Sequence, residues 1–163
     1  MLKTKYKFPE PPVVAKIPIT QGFFDQQQKR LKELLALRKE VMGRLIVARE
    51  MGDLSENGAY HAAKAELGNL GRQIRTAKHI LVNAEIPVIS KEVVAAFGKK
   101  VVLENEKETL FFTLVSQYES DVTAKKYSLE SPIGQAVLGK KINDRVTVIS
   151  PRGKIEYLIS AID

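Results

Sequence analysis

Apolar residues recur at helical spacing from Thr20 to about residue 85, a stretch without proline and rich in Leu, Lys, Arg, Glu, Ala and Gln. In its first half a 3-4-3-4-3 series runs through Leu31, Leu34, Arg38, Val41, Leu45 and Ala48, flanked by Leu35, Met42 and Ile46. In its second half a 3-4-3-4-3-4 series runs through Tyr60, Ala63, Leu67, Leu70, Ile74, Ala77 and Leu81. Both carry the seven-residue repeat of a coiled-coil seam. Folding the chain back at residue 54 sets Ala48 against Tyr60, Leu45 against Ala63, Val41 against Leu67, Leu34 against Ile74 and Leu31 against Ala77. Two helices that share a mirror point predict an antiparallel hairpin within residues 20–85, roughly 40 Å long for about 27 helical residues per arm at 1.5 Å each.

The turn is signalled independently at the mirror point by Met51-Gly52-Asp53-Leu54-Ser55-Glu56-Asn57-Gly58. Gly52 can end the first helix in a left-handed conformation, and Asp53 or Ser55 can cap the second. Gly43, Gly68 and Gly71 weaken the arms by about 0.5–1 kcal/mol each relative to Ala, so the arms depend on packing against each other. Gly68 and Gly71 either let backbones approach closely or are simply tolerated.

Past Pro87 the period changes. Residues 99–105, 109–117, 125–131, 145–150 and 154–162 are rich in β-branched and aromatic residues and read mostly as strands. Pro151-Arg152-Gly153 reads as a hairpin turn between the last two, and the stretch from Ser131 to Gly139 as a short helix with a Ser cap and Pro at its first position. Residues 86–163 are thus expected to form a small antiparallel sheet with one helix, giving an α+β chain. Residues 1–19 hold four of the seven prolines and read as an extended tail.

The formal net charge of +7 favours anionic partners without naming one. The bias is N-terminal: residues 1–19 carry four Lys against one Glu, whereas residues 86–163 carry 11 bases and ten acids. The absence of Cys excludes disulfides and thiol catalysis, and leaves only His61 and His79 as soft metal ligands, too few for a zinc site. No apolar run reaches the length needed to cross a bilayer, and no signal-peptide pattern opens the chain, so a cytoplasmic protein with no membrane partner is expected.

Two carboxylates on an exposed turn, Asp53 and Glu56, make poor catalysts alone but suitable Mg²⁺ ligands, provided another molecule completes the coordination shell. The competing structural account is that they only place negative charge at the start of the second helix, where the dipole favours it by about 0.3–1 kcal/mol. Among the basic residues on the arms, Arg49 and Lys64 lie nearest the tip and are the better candidates for nucleic-acid phosphates. No Gly-rich phosphate loop or nucleophile elbow is present.

The run Ala48-Arg49-Glu50-Met51-Gly52-Asp53-Leu54-Ser55-Glu56-Asn57, followed by Tyr60-His61-Ala62-Ala63-Lys64, resembles the hairpin tip of the GreA and GreB transcription elongation factors. Ser131-Pro132-Ile133-Gly134 and the closing hairpin are similar to the family's C-terminal, FKBP-like domain. The resemblance is closer to GreA and spans roughly residues 17–162. It implies a monomer whose C-terminal domain docks on RNA polymerase, with Ser131, Pro132 and Ile133 in the docking motif, while the coiled coil enters the secondary channel. Asp53 and Glu56 would then help retain the polymerase's second Mg²⁺, so that the polymerase cleaves the backtracked 3′ end of nascent RNA. The factor would hold no cofactor of its own and be no enzyme alone. Two departures stand out: Gly58-Ala59 replaces the usual Ala followed by an acid, and the tail extends beyond the family's usual start. The first allows an alternative, a non-cleaving regulator that occupies the same channel.

Overall fold

The computed structural model describes residues 16–88, 92–150 and 153–163. Its first part is a helical hairpin of Gln21–Glu50 (α1) and Gly58–Asn83 (α2). Thr20 caps α1 by accepting the Phe23 amide on its hydroxyl, which satisfies one of the orphan donors of the first turn. Within α1 only Gln27, Leu34, Val41 and Ala48 are buried, one residue every heptad, and they meet Ala63, Leu70, Ile74, Ala77 and Ile80 of α2. Leu34, Val41, Ala63, Leu70 and Ile74 form one apolar cluster, completed by the half-buried Leu31, Leu45 and Leu67. Three of the five mirror pairs, Leu45 with Ala63, Val41 with Leu67 and Leu34 with Ile74, therefore lie in one cluster. Two cross-arm polar contacts, Arg44–Glu66 at 2.9 Å and Arg30–Gln73 at 3.4 Å, are centred on either side of residue 54.

Several local expectations differ. Arg38 lies exposed rather than in the seam, since a guanidinium there would have no partner in an apolar layer. Ile80 rather than Leu81 is fully buried at the base. Gly68 and Gly71 do not mark a close approach, because a Cβ at Gly68 would meet nothing and one at Gly71 only the mobile end of Arg75, at 3.8 Å.

Where the hairpin begins and ends, Ile17–Pro18 (β1) pairs in parallel with Ala84–Glu85 (β2), and the Ile19 amide donates to Glu85 O at 2.9 Å. The end of the extended N-terminal segment is thus strand-paired, and Ile19 is wholly buried; residues 1–15 lie outside the described residues.

The C-terminal part is a five-stranded sheet of Lys100–Glu104 (β3), Thr109–Val115 (β4), Lys126–Ser128 (β5), Arg145–Ser150 (β6) and Gly153–Ile162 (β7), in the order β5-β4-β3-β7-β6. The sheet is mixed, not purely antiparallel: β5 runs parallel to β4. The reason is the connection between them, which is a looped segment folded around Asp121 rather than a tight hairpin, with Asp121 Oδ1 accepting the Thr123 amide and hydroxyl. Ser150 pairs with Gly153 at the β6–β7 turn; Pro151 and Arg152 lie outside the described residues. Alternate residues of the strands, such as Val101, Leu103, Phe112, Leu114 and Ile159, face a second apolar core that Val137 of the short helix Pro132–Val137 (α3) closes.

The two parts are joined by a buried carboxylate. Glu119, in the loop after β4, is only 5% exposed. It accepts the Thr20 amide on Oε1 at 2.8 Å and the Thr20 hydroxyl on Oε2 at 2.7 Å, and so sits at the positive end of the 30-residue α1.

Candidate functional site at the hairpin tip

The distal loop is built by caps. The first helix ends at Met51, whose amide donates to Ala48 O at 3.2 Å, and Gly52 then takes φ +111°, the left-handed region expected of it. The second helix is capped by Asn57 rather than by Asp53 or Ser55. Asn57 Oδ1 accepts the Tyr60 amide at 3.0 Å, while its Nδ2 donates across the turn to Ala48 O at 2.7 Å. One side chain thereby satisfies an orphan donor of α2 and gives the last turn of α1 a second bond at Ala48 O. The sequence signal for this was an Asn three residues before the bonded amide, which is the ordinary N-cap spacing.

With the cap supplied by Asn57, Asp53 and Glu56 lie outside α2, and its first turn contains no acid. Both carboxylates are exposed. Asp53 Oδ1 accepts the Ser55 amide at 2.9 Å and the Ser55 hydroxyl at 2.8 Å. The bond from the Ser55 amide first, and then that from its hydroxyl, holds Asp53 below the usual carboxylate range, and its Oδ2 is left for another partner. Glu56 makes no hydrogen bond among the described residues. His61 steadies the loop with Nε2 3.3 Å from Ser55 O, and Tyr60 packs edge-on to its ring. Neither histidine approaches a metal-binding cluster, and no group of three or more His, Asp or Glu suited to a metal occurs among the described residues.

Arg49 lies exposed in the last turn of α1, where its charge also suits the helix dipole. Lys64 projects from the second turn of α2 with its ammonium 5.9 Å from the Tyr60 ring centroid. The two bases therefore flank the tip on opposite arms. Ser131, Pro132 and Ile133 lie far along the chain in the other domain and have clear structural duties. The Ser131 hydroxyl caps α3 by accepting the Gly134 amide and donates to Ser128 O, Pro132 opens the helix, and Ile133 packs on the sheet core. Only Pro132 of the three is exposed.

Two family models together match most of the chain: "Transcription elongation factor, N-terminal" over residues 17–86, and "Transcription elongation factor, GreA/GreB, C-term" over residues 90–163. The chain is 38% identical over 151 residues to the transcription elongation factor GreA of Thermotoga petrophila, covering 90% of this chain and 97% of that one. It is 36% identical over 153 residues to the GreA of Neorickettsia sennetsu, covering 91% and 96%. The crystal structure of the GreA factor homolog 1 protein of Thermus thermophilus is 28% identical, covers 91% of this chain and 99% of that one, and superposes with a TM-score of 0.44. By the match of both family models and of relatives along nearly their whole length, the chain belongs to the GreA/GreB family of transcription elongation factors.

Proposed function

We propose that the protein binds RNA polymerase, extends its hairpin into the secondary channel and stimulates cleavage of backtracked RNA through Asp53 and Glu56. The observation that supports this reading is the separation of roles at the tip: Asn57 caps α2, so neither Asp53 nor Glu56 serves as its cap. Two carboxylates fit Mg²⁺, which takes few protein ligands and fills its shell with other oxygens, but two do not make a site that would hold it tightly alone. Asp53 Oδ2 and the Glu56 carboxylate would hold the ion jointly with polymerase and RNA oxygens. The ion, once bound, supplies charge stabilisation and a more acidic water. The chain's own contribution is positional: Ser55 fixes the Asp53 carboxylate by two hydrogen bonds and keeps it ionised. Arg49 and Lys64 offer phosphate contacts from either side, and the face around exposed Pro132 docks on the polymerase.

The experiment is to add the protein to stalled, backtracked elongation complexes in Mg²⁺ and look for short 3′ RNA fragments. Release is expected, with loss in Asp53→Asn combined with Glu56→Gln. Equal cleavage by that variant would refute the role of the tip. The acid-free first turn of α2, with Ala59 exposed in it, favours a second reading as a channel-occupying regulator. Slower nucleotide addition without fragment release would select it.

A further inference from the structure

A groove of about 300 Å³ opens between α1 and α2 where Tyr118 of the β domain reaches them. Phe23, Gln27 and Arg30 line it from one face of α1, and Arg72 and Thr76 from α2. Its two ends differ. Phe23 and Tyr118, both half-buried, make the proximal end, and Arg30 and Arg72 bring two guanidiniums from opposite arms to the distal end.

Those guanidiniums are available. Arg30 Nη2 donates to Gln73 Oε1 at 3.4 Å and Arg72 Nη2 to Asn69 Oδ1, which leaves most of their donors unused. Neither has a carboxylate partner among the described residues, and no acid lines the groove. Between the two ends lies Gln27, 6% exposed, whose side-chain amide has no hydrogen-bond partner among the described residues. Gln27 stands seven residues before Leu34, where an apolar residue would continue the seam. A polar seam residue that set register would bond to the opposite arm, and Gln27 does not. Among the described residues the one enclosed side-chain polar atom without a partner is Ser116 Oγ, so the Gln27 amide opens onto the groove and can bond to a ligand there.

We propose that this groove binds a nucleotide unit, with its phosphate between Arg30 and Arg72, its base against Phe23 and Tyr118, and the Gln27 amide bonded to the sugar or the base edge. Planar guanidiniums take phosphate oxygens in pairs, and aromatic rings accept any base by stacking. From Phe23 to Arg30 the helix rises about 10 Å, the length of one nucleotide. The volume lies at the small end of ligand pockets, too little for a dinucleotide. Arg30 is 23 residues from Asp53 along α1 and the tip, about 35 Å, so this site is separate from the carboxylates and does not depend on the cleavage reading.

The phosphate can belong to a free nucleotide or to a strand of RNA, and NMR titration of the full chain labelled with ¹⁵N separates them. AMP is expected to shift the Gln27 and Thr76 amides saturably, with a dissociation constant of about 1 mM or tighter. Adenosine and inorganic phosphate are each expected to bind about tenfold more weakly. Arg30→Gln with Arg72→Gln should weaken AMP about tenfold per arginine, with the Asp53 to Asn57 amide signals unchanged as proof of an intact fold. A single-stranded RNA hexamer that moves the same amides at lower concentration than AMP identifies the strand as the source. AMP binding alone identifies the free nucleotide. Inorganic phosphate matching AMP, shifts that persist in the double variant, or no shift with AMP or RNA would overturn the proposal.

Discussion

Replacing Glu119 by Ala removes the acceptor of two hydrogen bonds that tie the start of α1 to the β domain. Each bond to an ionised acceptor contributes about 1.5–3 kcal/mol, and the carboxylate's place at a helix N-terminus adds about 0.3–1 kcal/mol. Water reaches Thr20 once the carboxylate is gone and offsets part of that sum, so the expected loss lies below it, at about 2–3 kcal/mol. Because the interaction is confined to the junction, the loss should appear as local opening rather than as unfolding of either core. The amides to follow are Ile19, bonded to Glu85 O, and Phe24, bonded to Thr20 O, since neither bond involves Glu119. Their hydrogen exchange should accelerate about 30- to 150-fold, the Boltzmann factor of 2–3 kcal/mol, while amides of β3 and β7 keep their protection. Glu119→Gln keeps one amide oxygen as acceptor and should fall between the two. Exchange at Ile19 and Phe24 within twofold of the parent would refute the reasoning and place the junction's stability in the β1–β2 pair instead.

Three further outcomes can be checked on the purified protein. Gly134→Ala puts a Cβ 2.1 Å from Ser128 O, a backbone atom that has to move, so urea denaturation should show a loss of about 3 kcal/mol or more. Asn57→Ala removes the α2 cap and the bond to Ala48 O, an expected loss of about 1–3 kcal/mol by the same measurement, whereas Asn57→Asp keeps the cap and loses only the donor. Burial, and then the bond to Glu108, push the Tyr157 phenol from 10.0 up to about 12. The neutral phenol is the form the fold favours, so its stabilising contribution is whole below pH 10 and fades as pH rises from 10 to 12. Tyr157→Phe should flatten that decline in a denaturation series across this range.

The hairpin was legible in the sequence because its stabilising contacts are periodic: a heptad at Leu34, Val41 and Ala48 is visible without knowing the partner arm. The turn was legible for a different reason, since Gly52 has a conformation that few other residues adopt. The capping residue was harder, because Asp53, Ser55 and Asn57 are all good N-caps and only the start of α2 decides among them. Glu119 and Tyr118 carried no signal at all: they act on residues about a hundred positions away, and nothing in the loop after β4 marks a residue that will meet the hairpin. The parallel β5 escaped for a similar reason, as strand direction follows from the path of the loop rather than from the strand's own composition. The candidate acids could be named from the sequence, but that neither of them caps α2 required the geometry of Asn57.

The strand order has a consequence for how the chain is made. The last strand in sequence, β7, lies between β3 and β6, so the sheet has a gap at its centre until that strand is present. Val101 to Glu104 must therefore wait with one edge open through the synthesis of some fifty further residues, an interval in which an unpaired apolar strand can pair with a neighbouring chain. The hairpin, by contrast, closes on contacts between neighbouring segments and is complete long before. Newly made chains should thus display a finished probe on an unfinished base, and aggregation during expression should map to β3 and β4 rather than to the exposed leucines of the arms.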